Sequence, residues 1–247
     1  MERGAVRKHK GLFEKQMDYR RMRKMDYRKD LLQTVESIWS AYLEHPFLVE
    51  LEAGRLPKEK FKNYLVQDYL YLKEYARVFC IGVSKAKTMK EMKFFYHGIQ
   101  GAMEDETEVH IQYLLDFGIR PEQAEKSAML IDNINYTSYM QAIALRGDLK
   151  DILAAVMPCA WSYNYIGLAL KEKVQRPEEN FYMPWIDSYA SDSYTQFTEA
   201  WIQYTEETCQ ALSQEEYERF KEIFIASSLY EMKFWDMAYA DLEENIE

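Results

Sequence analysis

Apolar residues recur at helical spacing along almost the whole chain. Leu31, Leu32, Val35, Ile38, Trp39 and Tyr42 form one stripe, at the three- and four-residue intervals that a single helix face presents. His45-Pro46 interrupts it, residues 47–53 continue it briefly, and Gly54 closes the segment. Leu56-Pro57 opens the next helix, because proline's missing N–H is no loss in a first turn. That helix carries Phe61, Tyr64, Leu65, Asp68, Tyr71, Leu72 and Tyr75. Thr88 and Glu91 have the spacing of a capping box and predict a long helix reaching Phe117, stopped by Gly118 and Pro121. Further helices are predicted over 135–146, ended by Gly147, over 148–173, and near 193–212. Ser213 with Glu216 is a second capping box, and its helix runs through Trp235 toward the chain end. Residues 175–180 are the one clear polar loop. No alternating strand of useful length and no hairpin turn interrupts this pattern. The fold class is therefore all-α, a single-domain helical bundle of seven or more helices.

Within the apolar run 151–170 the pattern breaks one rule. Pro158 sits in a helix interior, where it removes a hydrogen bond and clashes with the carbonyl four residues back, at a cost of about 3 kcal/mol. Cys159 follows it directly, and Tyr163 lies one turn later on the same face. A helix locally broken at this step would aim a thiol into a pocket. Taken alone, the same residues fit a buried cysteine beside a tolerated kink, since free cysteine behaves as a small hydrophobe.

Composition narrows the class. The 247 residues suffice for one sizeable core, and only 9 Gly and 6 Pro with 29% charged residues exclude disordered and collagen-like chains. Twenty tyrosines are many; buried phenols need partners, which suggests a hydroxyl-lined cavity, although interfaces are also rich in tyrosine. The three cysteines, Cys80, Cys159 and Cys209, have no paired spacing. No apolar leader opens the chain and no run approaches the length of a membrane span, so the chain reads as cytoplasmic with reduced thiols.

Charge is uneven. The net −10 divides into +6 for residues 1–30 and −16 for the remainder. Met17-Asp18-Tyr19-Arg20 recurs as Met25-Asp26-Tyr27-Arg28 inside this basic N-terminal extension. Such an arm can contact nucleic acid or an anionic surface. An acidic body repels phosphate backbones, which favours a solvated extension, or sequence upstream of a start at Met25. The helical domain is placed at 31–247.

Candidate chemistry follows by residue type. The four histidines are His9, His45, His97 and His110. A carboxylate-bridged di-iron site needs Glu-x-x-His pairs on facing helices, whereas Glu106 and His110 are four apart and unanswered elsewhere, so no metal and no cofactor are expected. No Gly-x-Ser-x-Gly elbow and no glycine-rich phosphate loop is present. What remains are acids on aromatic helix faces. Asp68 shares a face with Tyr71, and Glu231 shares one with Phe234 and Trp235. Burial there would raise a carboxyl pKa and make it a usable general acid–base. One thiol, two carboxylates and several phenols suit covalent chemistry on a flat, hydrogen-bonding heterocycle.

Three segments in order carry a resemblance: Val66-Gln67-Asp68-Tyr69-Leu70-Tyr71-Leu72, Pro158-Cys159-Ala160-Trp161-Ser162-Tyr163, and Tyr230-Glu231-Met232-Lys233-Phe234-Trp235-Asp236-Met237-Ala238-Tyr239. With His45-Pro46-Phe47, Tyr136-Thr137-Ser138-Tyr139 and Trp185-Ile186-Asp187-Ser188-Tyr189 between them, the chain resembles the thiaminase II (TenA) family over residues 31–242. The resemblance implies a haem-oxygenase-like helical fold that binds no haem, a homotetramer, and hydrolysis at the exocyclic methylene of a 4-aminopyrimidine. The implied substrate is 4-amino-5-aminomethyl-2-methylpyrimidine, salvaged from degraded thiamin; hydroxymethylpyrimidine and ammonia are the products, and thiamin is cleaved more weakly. By motif, Cys159 matches the nucleophile of the cysteine-bearing branch and Glu231 the acid/base near the leaving group. Asp68 matches the acid that holds the ring amidine edge. Tyr71, Tyr136, Tyr163 and Tyr189 match pocket tyrosines, and Phe47 and Phe234 apolar walls. Cys80 and Cys209 match no catalytic motif and read as packing residues. Two other functions stay open at this point: a non-catalytic pyrimidine-binding or regulatory protein that keeps the pocket, and a metal-dependent oxygenase on the same fold, which the histidine count disfavours.

Overall fold

The structure, a computed structural model, describes residues 25–241, and within them the side chains of all but residues 105–108. Residues 1–24 of the basic extension lie outside the described residues, and the expected division at residue 30 falls inside the first helix. Every regular element among the described residues is helical. In chain order they are α1 (Tyr27–Glu44), α2 (Pro46–Glu52), α3 (Lys58–Lys85), α4 (Met89–Gln100), a π-helical turn (Gly101–Asp105) and α5 (Glu106–Asp116). Then follow α6 (Pro121–Ala124), α7 (Ile131–Arg146), α8 (Leu149–Lys173), a 3₁₀ turn (Pro177–Glu179), α9 (Met183–Tyr189), α10 (Asp192–Cys209) and α11 (Gln214–Tyr239).

The caps form as the sequence reads. Thr88 accepts from the Glu91 N–H while the Glu91 carboxylate accepts from the Thr88 N–H, and Ser213 with Glu216 does the same at α11. At α2, His45 is the N-cap: its Nδ1 accepts from the Phe47 N–H at 3.1 Å, with Pro46 in the first turn. Asp148 caps α8, reciprocated by Asp151. Gly118 ends the segment after α5 with φ of 73°, a left-handed conformation that glycine adopts without steric cost.

Four differences from the sequence reading have physical causes. The single helix expected from Thr88 to Phe117 is divided by the π turn at Gly101–Asp105. Glycine is a weak helix former, and here Gly98 and Gly101 let large rings approach: a Cβ at Gly98 would lie 2.9 Å from Phe79 and Trp201 atoms, and one at Gly101 3.2 Å from Phe197. The helix containing Tyr136 starts at Ile131 rather than near 135, with Ile131 and Ile134 on its exposed side, which hides its apolar period. Pro158 does not break α8; the helix runs continuously through it. Finally, α8 is long and apolar enough by length and composition to cross a membrane, contrary to the reading of the runs, yet most of it is buried inside the protein, so α8 is the central core helix.

Around α8 pack α1, α3, α7, α9, α10 and α11. Ile152, Leu153, Val156, Met157, Ile166 and Leu170 are all fully buried on it. Burying one such side chain contributes roughly 1.5–3 kcal/mol, so this set more than offsets the local cost of Pro158. α9 is held close by Asn164, which donates from Nδ2 to the Tyr189 carbonyl and to Thr195 Oγ1, both at 2.9 Å. Gly167 makes the approach possible, since a Cβ there would meet the Tyr189 backbone carbon at 2.8 Å. Gly167→Ala should therefore destabilise the fold by about 1–3 kcal/mol through overpacking, despite alanine's helix propensity. A lower urea midpoint at unchanged slope is the expected readout; an unchanged or raised midpoint would contradict the close packing of α8 on α9.

Candidate active site

Six elements deliver the expected side chains to one region of the core. α3 presents Asp68, Tyr71 and Tyr75 at i, i+3 and i+7, hence on one face. α8 presents Cys159 and, one turn on, Tyr163; α11 presents Glu231 and Phe234; α7, α9 and α2 supply Tyr136, Tyr189 and Phe47. All nine residues expected from the sequence are buried.

Their polar members form two groups, and Tyr163 packs against the second. In the first, the Tyr136 hydroxyl donates to Glu231 Oε1 at 2.7 Å, and the Tyr136 ring lies 5.2 Å from that of Tyr71. In the second, His110 Nδ1 lies 3.0 Å from Asp68 Oδ2, and His110 Nε2 lies 3.3 Å from the Tyr189 hydroxyl. Tyr163 packs 4.8 Å from Tyr189 and 5.3 Å from Trp235. Burial pushes the Tyr163 phenol well above its ordinary range, and Tyr64, Asp68, Glu231 and Cys159 push it further. Burial likewise raises Tyr71, reinforced by Cys159, Tyr136 and Glu231, and raises Tyr136, reinforced by Glu231 and Cys159. These phenols remain hydrogen-bond donors throughout the neutral range.

The aromatic surround is continuous. Tyr64 stacks on Trp235 at 5.7 Å and accepts a hydrogen bond from Trp185 Nε1 at 3.2 Å. Phe47 lies 5.3 Å from Tyr64 and 5.5 Å from Trp235, and Phe234 lies 5.6 Å from Tyr71. A cavity of about 340 Å³ opens beside Cys159, walled by Tyr75, Phe79, Ala160, Tyr189, Tyr194 and Phe197 among others. Of the nine expected residues only Cys159 and Tyr189 line this cavity; Asp68, Tyr71, Tyr136, Tyr163, Glu231, Phe47 and Phe234 are buried outside its walls.

Sequence reasoning missed His110 as a partner of Asp68. It entered only as half of a Glu106/His110 metal pair, and the Glu106 side chain lies outside the described residues. No spacing rule links residues on α3 and α5 across a turn of irregular geometry. Among the described residues, no three His, Cys, Asp or Glu side chains gather in a way that could hold a metal ion.

The model of the TENA/THI-4/PQQC family matches residues 32–241. The chain belongs to the TENA/THI-4/PQQC family. An aminopyrimidine aminohydrolase of Helicobacter pylori is 38% identical over 209 residues, which cover 85% of this chain and 96% of that protein. A TenA homologue from P. horikoshii OT3 superposes with a TM-score of 0.77 at 30% identity, over 85% of this chain and 97% of that one. A Shewanella denitrificans domain with a haem-oxygenase-like fold superposes with a TM-score of 0.70 at 18% identity, over 87% and 92% of the two chains, and shows the fold alone. The fold of this TENA/THI-4/PQQC family member is thus all-α and haem-oxygenase-like.

The two cysteines without a catalytic motif differ in setting. Cys80 is exposed, whereas Cys209 is fully buried and its pKa is pushed up to about 12 by burial, with Glu206 adding to the shift. At pH 8 iodoacetamide should label Cys80 and spare Cys209 in the folded protein, as read by peptide mass spectrometry. The unfolded chain releases the Cys209 proton at about pH 8.5 and the folded chain only near 12. Stability from this group is present below the lower value and lost as pH rises toward the higher one, and the raised phenols act in the same direction. The urea midpoint should therefore fall between about pH 9 and 12; a rise there, or prompt labelling of Cys209, would contradict this burial.

Proposed function

We propose that this chain is an aminopyrimidine aminohydrolase (thiaminase II) of the cysteine-bearing branch. It hydrolyses 4-amino-5-aminomethyl-2-methylpyrimidine to hydroxymethylpyrimidine and ammonia in thiamin salvage, and cleaves thiamin more weakly. The observation that carries this reading is the burial of Cys159, Asp68 and Glu231, from α8, α3 and α11, in one aromatic core where Tyr136 donates to Glu231 and His110 lies against Asp68. The relatedness to an aminopyrimidine aminohydrolase at 38% identity supports the substrate class. The reading also carries the homotetramer and the cytoplasmic setting expected from the resemblance, with no membrane and no nucleic acid as partner.

The chemistry runs as follows. Asp68, oriented by His110, accepts from the 4-amino group and amidine edge of the pyrimidine. Tyr71, Tyr136, Tyr163 and Tyr189 donate to ring nitrogens or clamp the ring, while Phe47 and Phe234 exclude water. Cys159 adds as a thiolate to a ring carbon, and the displaced electron pair moves toward the exocyclic methylene. Glu231 gives its proton to the departing amine, so ammonia leaves as the C–N bond breaks. Water then adds at the methylene carbon and returns a proton to Glu231. Restoration of the aromatic ring breaks the C–S bond and expels the thiolate, which closes the cycle without an oxidant. Glu231 suits this part because a carboxyl among aromatic rings can hold a proton near neutral pH. Tyr136, donating to Oε1, fixes which oxygen is left to face the leaving group.

Ammonia release from the aminomethyl substrate by the purified protein tests the reading. Cys159→Ser and Glu231→Gln should each lower kcat by about 100-fold or more. Asp68→Asn should weaken pyrimidine binding by about 1.5–3 kcal/mol, which raises KM at least about tenfold. Turnover that survives both Cys159→Ser and Glu231→Gln would overturn the mechanism, and tight pyrimidine binding without any turnover would favour a binding protein instead.

A further inference from the structure

One buried hydroxyl at the cavity is not used by this chemistry. Tyr75 lies one turn beyond Tyr71 on the same face of α3, is 4% exposed, and walls the cavity together with Cys159 and Ala160. Its phenol donates to the Val156 carbonyl at 2.8 Å. In an α-helix the carbonyl of residue i points along the axis to the N–H of residue i+4. The Val156 oxygen therefore lies level with the Cys159–Ala160 peptide, so Tyr75 grips α8 at the height of the thiol. This is also where α8 is weakest. Pro158 has no N–H for the carbonyl of Ala154, and its ring crowds that carbonyl. α8 nevertheless continues as regular helix through the position.

The Tyr75 ring is itself fixed. It stacks on Tyr71 at 5.4 Å with 22° between planes and meets Phe79 edge-on at 4.6 Å. The hydroxyl thus comes from a ring with little freedom to rotate away. It ties the α3 face that carries Asp68 to the α8 turn that carries Cys159.

We infer that Tyr75 is a positioning residue: its hydrogen bond to the Val156 carbonyl sets the aim of the Pro158 turn and so of the Cys159 sulfur. The inference rests on Cys159 being the nucleophile. It assigns Tyr75 no proton transfer and no contact with the reacting atoms. A displacement of the order of 1 Å at a reacting group can cost about 100-fold in rate, so one hydrogen bond at this turn is enough to matter.

The test is a double-substitution cycle with Tyr75→Phe and Pro158→Ala. Tyr75→Phe removes one hydroxyl and keeps the ring contacts; Pro158→Ala restores the missing N–H and relieves the turn. Two rates are measured: turnover of the aminomethyl substrate, and alkylation of Cys159 by iodoacetamide across pH 6–10. Turnover is divided by the folded fraction read from a urea unfolding curve, so misfolded molecules drop out. Tyr75→Phe should lower kcat about tenfold with KM within about twofold, and should slow alkylation with an unchanged pH midpoint. In the Pro158→Ala background the same substitution should change kcat by less than about twofold, because the two act on one turn. Wild-type kcat and alkylation in Tyr75→Phe, or equal tenfold losses in both backgrounds, would overturn the inference. A shifted pH midpoint would do so too, because it would mean that Tyr75 acts on the charge of the thiol. Turnover that survives Cys159→Ser removes the nucleophile itself and is a separate failure.

Discussion

The structure depends on keeping two carboxylates, a histidine and a thiol buried in one aromatic core. Burying a polar group without a partner costs several kcal/mol, and an isolated charge costs more. The chain meets this requirement with aromatic side chains that carry a polar atom. Tyr136 donates to Glu231, His110 lies against Asp68 and Tyr189, and Trp185 donates to Tyr64. The high tyrosine content follows from this arrangement: each phenol fills core volume with its ring and satisfies a neighbour with its hydroxyl. The same groups would pair with the edge of a heterocycle, so the stability of the core and recognition of a substrate draw on one set of atoms.

α8 is the second element of the arrangement. It is surrounded by six helices and carries Cys159 and Tyr163 at its middle, where side chains have least freedom. Pro158 beside the thiol is a local cost that the apolar burial of the rest of the helix offsets. α9 is pressed against it at Gly167 and held by Asn164, which brings Tyr189 to Tyr163 and His110. A nucleophile on a rigid central helix can be aimed more closely than one on a loop.

Much of this was legible in the chain before any coordinates. The stripe from Leu31 to Tyr42, the two capping boxes and the glycines at 118 and 147 give helices where they are found. Asp68 and Glu231 stand out because an acid on an aromatic helix face has few structural uses. Other features were hidden. The π turn at Gly101–Asp105 arises from how closely Gly98 and Gly101 meet Phe79, Trp201 and Phe197, which is a tertiary fact. The helix Met183–Tyr189 is short, and its apolar residues pack on α8 rather than follow a long period. His110 has no neighbour in sequence that marks it, since its partner is on another helix. The expected break at Pro158 gives the local cost correctly and the outcome wrongly, because burial on both sides of the turn keeps the helix continuous through it.

The central claim is that Cys159 attacks a pyrimidine held by Asp68 in the core between α3, α8 and α11. A crystal of the protein with bound hydroxymethylpyrimidine measures this directly. The account predicts the Cys159 sulfur within about 3.5 Å of a ring carbon, with the Asp68 carboxylate on the amidine edge and Glu231 beside the exocyclic oxygen. A ring seated elsewhere, or seated here with the sulfur turned away from it, would contradict the account.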